Sequence, residues 1–157
     1  MPRRDDGPRA PRISPPDLPG DLSPVSGVRG ADIHAAQIAL TVDTDLAHSS
    51  LEQCALTGTA STLSLQGATL LDVDLVDLRV AALPAKNTSW RRVRIRGGRI
   101  GTLDLTEARL ADVQLRNVRI DYLTLGGATA EDVLVTECMI TALDLPQATI
   151  TRMAFHD

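Results

Sequence analysis

Residues 63–157 repeat with a strict period of five, and this period leaves few folds open to the chain. Read in fives from Leu63, the stretch begins LSLQG, ATLLD, VDLVD and runs to MAFHD with no residue inserted or lost. The third position is always Leu, Ile, Val, Ala, Trp or Phe. A helix repeats every 3.6 residues and a simple strand every two, so neither explains this pattern. Five-residue sides of a four-sided coil do.

A second period of twenty residues supports the same interpretation. Identical leucines recur at this spacing, namely Leu63, Leu83, Leu103, Leu123 and Leu143. Three further columns of mostly small or aliphatic residues share the spacing. Four fives therefore make one turn, and like residues stack on successive turns about 4.8 Å apart. The sequence predicts an all-β fold, a four-sided parallel β-helix of about six coils.

Several of the fives are close to a known repeat. ARLAD, ATLLD, ADIHA and AQIAL resemble the bacterial pentapeptide-repeat family, whose consensus is Ala, then Asp or Asn, then Leu, then two variable residues. The resemblance covers about four-fifths of the chain. It implies a right-handed quadrilateral β-helix. The second position is often Arg, Thr or Ser here, and since that position faces solvent at the corners, we expect the difference to change surface charge and not the fold.

The composition divides the chain at residue 30. Seven of the nine prolines lie in the first 24 residues, so residues 1–30 are expected to form an extended or disordered arm. Part of the arm, residues 17–22, could instead cap the first coil. Residues 31–157 are predicted to form the β-helix. Its strict register begins at residue 63, and bulges or loops are expected near residues 41–43 and 59–62.

The apolar residues suit a narrow core. The chain is 43% hydrophobic but only 2% aromatic. Trp90 occupies an inward third position, and smaller residues in the same turn conserve core volume. It is therefore interpreted as a core residue, the alternative being a binding anchor turned outward. Cys54 and Cys138 are expected to be buried thiols about four turns, roughly 20 Å, apart, which is too far for a disulfide.

Basic residues concentrate in one turn. Residues 83–102 carry six of them and no acid. Arg92 and Arg94 are expected to form ion pairs with acids of the preceding turn, whereas other arginines stack on like charges. The predicted stripe for an anionic partner consists of Arg79, Arg96, Arg99, Arg116 and Arg119. The alternative is a solvated stripe that neighbouring acids neutralise.

Motifs for catalysis and for cofactor or metal binding are absent from the sequence. It contains no His/Cys spacing for zinc, no phosphate-binding loop and no nucleophile elbow. The paired glycines at 97–98 and 126–127 are expected at tight corners. We therefore predict no catalytic residue, no cofactor, no metal site and no enzyme activity. No apolar run reaches membrane-spanning length and no signal peptide is evident, so a cytoplasmic location is expected.

The predicted function is a rigid macromolecule-binding or scaffold module with an unknown protein partner. An open C-terminal coil favours a homodimer through that coil, or a truncated form of a longer protein. The resemblance also implies an alternative, a DNA mimic that modulates DNA gyrase as quinolone-resistance pentapeptide proteins do. The net charge of only −4 and the basic turn count against it. Direct nucleic-acid binding is not expected, because a few arginines supply few phosphate contacts.

Overall fold

The computed structural model describes residues 10–26 and 29–157, and this part of the chain contains strands and no helix. Three short strands and one four-residue strand precede the regular turns. The thirteen strands are β1 (Ser23–Val25), β2 (Asp32–His34), β3 (Ala36–Ala39), β4 (Asp43–Asp45), β5 (Ser50–Ser64), β6 (Thr69–Pro84), β7 (Ser89–Arg96), β8 (Arg99–Asp104), β9 (Arg109–Arg116), β10 (Arg119–Thr124), β11 (Thr129–Thr136), β12 (Met139–Asp144) and β13 (Thr149–His156).

Every strand pairing is parallel, and the later turns stack in one constant register. Strand β7 pairs with β9, β9 with β11 and β11 with β13, and each paired residue lies twenty positions from its partner. Trp90, for example, lies opposite Leu110. The chain forms a β-solenoid of about six turns, which confirms the predicted parallel β-helix.

The core is a narrow column of the first and third residues of each five. Leu63 and Leu65 are both 0% exposed, and the same positions, apart from Gly98, stay buried up the solenoid to Val135. Trp90 is 1% exposed, so its interpretation as a core residue is confirmed. Its indole Nε1 is buried without a hydrogen-bond partner among the described residues. Cys54 is buried, Cys138 is half-buried, and both thiols are free.

Sharp corners join the sides of each turn. In each regular turn, three corners carry a residue with a left-handed backbone, as at Gly67, Asp72 and Asp77. The paired glycines at 97–98 lie at one of these corners, both with positive φ. Gly98 has φ of +81°, and a Cβ there would collide with the carbonyl of Leu78. This position therefore requires glycine.

The first turns have the irregular register that the sequence predicts. Residues 37–39 pair with β5 at a spacing of 18, whereas residues 43–45 pair with it at 19. The spacing between β5 and β6 changes to 20 at an irregularity between Thr57 and Thr59. Gly58 lies at this irregularity with φ of +124°. The two bulges place the remaining turns in the constant register.

The N-terminal segment contacts the solenoid at two places. Strand β1 pairs with β3 and so extends the first turn. Before it, residues 12–17 lie along one side of the solenoid, and we call this segment the strap. The amide of Arg12 donates to Asp132 and the amide of Asp17 donates to Asp72. The rest of the predicted arm, residues 1–9 and 27–28, lies outside the described residues.

Candidate functional site

The five arginines predicted as a binding stripe lie on the two sides of one corner, which we call the basic corner. Arg79, Arg99 and Arg119 are direct neighbours on successive turns. Arg96 and Arg116 are likewise aligned, on β7 and β9. Neighbouring members of a column are one strand spacing apart, about 4.8 Å. The stripe is therefore a compact two-column array on a rigid surface.

The corner itself holds the two columns close together. Left-handed residues, Asp77, Gly97 and Asn117, form the bend that separates the columns. Arg96 and Arg99 are only three residues apart across that bend. The backbone geometry of the corner thus fixes how the two columns face each other.

Acids neutralise this array only in part. Asp121 forms ion pairs with Arg99 at 3.2 Å and with Arg119 at 3.7 Å, and all three side chains are exposed. Arg96 lies 3.1 Å from Asp74, but Asp74 also pairs with Arg94. Among the described residues, Arg79 and Arg116 have no carboxylate within 4.0 Å.

An excess of positive charge therefore remains at the basic corner. Once Asp74 is assigned to Arg94, five guanidiniums face three carboxylates, those of Asp77, Asp121 and Glu137. The neutralised stripe that the sequence left as an alternative holds for Arg99 and Arg119, which share Asp121, and for Arg96, which shares Asp74 with Arg94. It does not hold for the array as a whole.

Two shallow grooves accompany the arginines. One, of about 430 Å³, is lined by Arg79, Arg99 and Asp121 over a floor of Val80, Ala81 and Gly101. A Cβ at Gly101 would collide with the carbonyl of Ala81. Because Gly101 has no side chain, the groove reaches down to the backbone there. The second groove, of about 320 Å³, lies between Arg96 and Arg116 beside Asp77, Val76 and Asn117.

Two other arginines of the basic turn, Arg92 and Arg94, are held in ion pairs, as predicted. Arg92 and Arg94 each form a two-pronged pair with the acid twenty residues before, Asp72 and Asp74. Both acids are buried, although Asp74 occupies a second position that was expected to face solvent. The Asp74 side chain is only 2% accessible because Arg94 and Arg96 cover it. The hydrogen bond from Arg92 lowers the pKa of Asp72, and the bond to Asp74 raises the pKa of Arg94.

The acidic C-terminal turns contain a similar pair. Arg152 donates to both oxygens of Asp132, at 2.6 and 2.9 Å, and also to Glu131 at 2.8 Å. The hydrogen bond from Arg152 lowers the pKa of Asp132 to about 2. In the last turn the inward column opens to solvent at Leu143, Leu145, Ile150 and Phe155, and Met139, at an outward second position, is exposed as well.

The geometry assembles no reactive cluster in the described part of the chain. No three His, Cys, Asp or Glu side chains among residues 10–26 and 29–157 converge on a point where a metal could bind. A third groove, of about 670 Å³, lies on a side of the solenoid, and its charged lining residues are Arg91, Arg109 and Glu131. None of the described segments is a helix long and apolar enough to cross a membrane.

Comparison with family models, with curated proteins and with solved structures found no match to this chain. Membership of the pentapeptide-repeat family therefore remains a prediction that rests on the repeat itself.

Two features of the site were not visible in the sequence. Asp121 emerges as the acid that Arg99 and Arg119 share, although its neighbours at twenty-residue spacing are Gly101 and Thr141. The strap contacts of Asp72 and Asp132 join residues 55 and 120 positions apart, respectively. The only hint of the second feature was the identical place of these two aspartates in the repeat.

Proposed function

We propose that this protein is a non-catalytic binding module whose basic corner binds an acidic segment of a partner protein. The observation that carries the proposal is the excess of positive charge on a rigid corner of a chain whose net charge is −4. An isolated surface arginine is common, but stacked arginines repel one another. An acidic partner would relieve that repulsion on binding.

The geometry suits a linear partner better than a point ligand. The two grooves are open and shallow, so they do not enclose a small molecule. Along the solenoid axis, one column extends over three turns, from Arg79 to Arg119, and the other over two, from Arg96 to Arg116. Arginine forks form charge-assisted hydrogen bonds with carboxylates, and the solenoid backbone orders their attachment points before binding. An extended acidic segment running along the axis would meet a guanidinium at each turn.

A charge-reversal experiment tests the proposal. The variant Arg79→Glu/Arg99→Glu/Arg119→Glu is compared with the control Lys86→Glu/Arg91→Glu/Arg109→Glu, which changes the net charge equally at exposed positions elsewhere. The probe is a fluorescent peptide of alternating Glu and Ser, followed by anisotropy. We expect the basic-corner variant to bind at least tenfold more weakly than the control, and wild-type affinity to fall with added salt. Equal weakening in both variants would reject the site.

The open last turn supports a second proposal, a homodimer through the C-terminal coil. Exposed apolar residues and unpaired strand edges at one end of a solenoid favour association with a like surface. This self-association involves a different surface from the basic corner, so a dimer could present two basic corners to one partner.

The action of a DNA mimic on DNA gyrase remains the alternative function. The acidic surface that it requires is interrupted by the basic corner, and no described contact favours it. A supercoiling assay with purified protein, with and without a quinolone, tests it directly. Altered supercoiling or protection from the drug would favour this alternative over the acidic-segment proposal.

A further inference from the structure

The strap lies on a second corner of the solenoid, which has its own column of polar residues. This corner ladder consists of Gln53, Asp72, Arg92, Asp112, Asp132 and Arg152, all with left-handed backbones. Each member lies opposite the next in the register of the strands. The ladder therefore presents acids and arginines in a straight row along the solenoid axis.

The strap is held at two points by the same hydrogen-bonding arrangement. Oδ1 of Asp72 accepts Nε of Arg92 at 2.7 Å and also the amide of Asp17 at 3.1 Å. Oδ1 of Asp132 accepts Nε of Arg152 at 2.6 Å and also the amide of Arg12 at 3.0 Å. In both cases the arginine of the next turn orients the carboxylate, and the oxygen that accepts the arginine Nε also accepts a backbone N–H.

The spacing of the two anchors matches an extended chain. Asp72 and Asp132 are three turns apart, about 14 Å at the spacing of strands. The five residue steps from Arg12 to Asp17 span about 15 Å in a polyproline II conformation. Such a conformation has no internal hydrogen bonds, so its N–H groups are free to bind carboxylates.

The sequence of the strap suits this mode of binding. Pro15 and Pro16 lie between the anchors and have no N–H that would need a partner. At Asp17 the ladder also contacts the backbone carbonyl, because Nε2 of Gln53 donates to it at 3.1 Å. A donor for the carbonyl beside an acceptor for the amide sets the chain direction of the bound segment. The ladder thus recognises backbone groups at a fixed spacing, and it makes few demands on side chains.

We infer that the corner ladder is a docking site for an extended, proline-containing segment of another protein, and that residues 12–17 occupy it within the chain until they are displaced. The contacts that hold the strap are two hydrogen bonds to carboxylates and one from an amide. They are partly exposed to solvent, so the strap is a replaceable occupant and not part of the core. Tethering gives the strap a high effective concentration at the ladder, which excludes weak competitors.

Replacing the two anchoring residues by proline tests this inference without altering the ladder. The variant Arg12→Pro/Asp17→Pro removes both N–H donors, and it favours the extended conformation of the strap. The matched control is Ser14→Pro, because the Ser14 amide donates to no described residue. The probe is a fluorescent peptide with the sequence of residues 10–22, added to each full-length chain and followed by anisotropy.

We expect the peptide to bind Arg12→Pro/Asp17→Pro at least tenfold more tightly than it binds the wild type or Ser14→Pro. A second peptide, with proline at the two anchoring positions, should not bind the open ladder. Equal binding of the first peptide to all three chains would overturn the inference, and so would equal binding of the two peptides.

Two further measurements complete the test. The heteronuclear NOE of the Ile13 and Leu18 amides, which reports local motion, should fall in Arg12→Pro/Asp17→Pro, and unchanged values would show that the anchors do not hold the strap. Sedimentation velocity of the wild type tests whether the strap of a second copy of the chain occupies the ladder. A dimer that disappears in Arg12→Pro/Asp17→Pro would show exchange of arms between copies and would overturn the assignment to another protein. The ladder and the basic corner share no residue, so failure of this inference leaves the proposed function untouched.

Discussion

Asp74 is shared by two arginines, Arg94 at 2.9 Å and Arg96 at 3.1 Å, and together they leave its side chain 2% exposed. Arg94 belongs to the next turn, directly opposite Asp74 in the strand register. The side-chain pair therefore joins two turns on the outer surface of the solenoid, in addition to the backbone hydrogen bonds between their strands. Because the carboxylate is buried, its ionic partners affect stability more than ordinary surface partners do.

Removing both cationic partners of Asp74 should destabilise the protein strongly. The variant Arg94→Met/Arg96→Met leaves a buried, unpaired carboxylate, and we expect the free energy of unfolding to fall by about 3 kcal/mol or more. Each single variant should cost less than half of that, since one arginine remains. Adding Asp74→Leu to the double variant should recover most of the loss. Urea unfolding followed by circular dichroism measures these changes. If the losses of the two single variants add up to the loss of the double variant, the two arginines do not share the role.

Trp90 should tolerate phenylalanine far better than alanine. Trp90→Ala opens a cavity in the narrow core, for which we expect a loss of about 3–5 kcal/mol in the free energy of unfolding. Trp90→Phe keeps an aromatic ring and removes the indole N–H, which is buried without a partner among the described residues. Relief of that donor offsets part of the lost packing, so a loss under about 1.5 kcal/mol is expected.

Thermal and urea unfolding of the two Trp90 variants provide the measurement. In the wild type, Trp90 is the chain's single tryptophan, so its fluorescence reports unfolding from the centre of the core. Similar losses for phenylalanine and alanine would indicate that the indole N–H is satisfied in solution.

Acid should loosen the corner ladder only well below neutral pH. The hydrogen bond from Arg152 lowers the pKa of Asp132 to about 2 from its ordinary 3.8. A lowered pKa means that the ionised carboxylate is favoured in the folded state. Its contribution is therefore complete above pH 3.8 and is lost as the pH falls through about 2. The pKa of Asp72 is lowered in the same direction, first by its hydrogen bond from Arg92.

Urea midpoints measured from pH 6 to pH 2 test this pH dependence. We expect the midpoint to fall below pH 4, together with a loss of hydrogen-exchange protection, relative to the intrinsic rate at each pH, at the Arg12 and Asp17 amides. The variant Asp132→Asn removes one titrating group, so its midpoint should fall less over the same range. An identical pH profile for the variant and the wild type would exclude Asp132 as a contributor.

The apolar last turn should control self-association. Phe155 is 53% exposed and Leu143 is 38% exposed, both at the open end of the core column. The variant Leu143→Asp/Phe155→Asp should shift a concentration-dependent dimer to monomer, with at least a tenfold weaker dimerisation constant. Sedimentation equilibrium measures it, with Val42→Asp as the control because Val42 is 73% exposed in an early turn. A wild type that is monomeric at high concentration would exclude the dimer.

The local pattern was enough to predict the solenoid and much of its core. A five-residue period requires each apolar residue to return to the same side of the coil, and this makes Trp90 a core residue before any coordinates are known. The twenty-residue register likewise predicted that Arg92 would pair with Asp72 and Arg94 with Asp74. These pairs depend only on the stacking of one turn on the next.

The burial of Asp74 was not predictable in the same way. The sequence marks it as a solvent-facing second position, and the structure buries it because two arginine side chains fold over it from different positions. Side-chain direction at a corner depends on the backbone bend there, which the repeat does not specify. The sharing of Asp121 between Arg99 and Arg119 has the same origin.

The sequence by itself determined the parallel β-helix, its core column and the stacking of the five arginines, because these follow from a period that acts between adjacent turns. Only the tertiary structure decided where the strap lies and which charges remain unpaired. The contact between Arg12 and Asp132 spans 120 residues. No local period relates two such residues, and their meeting depends on the path of an irregular segment across the completed solenoid.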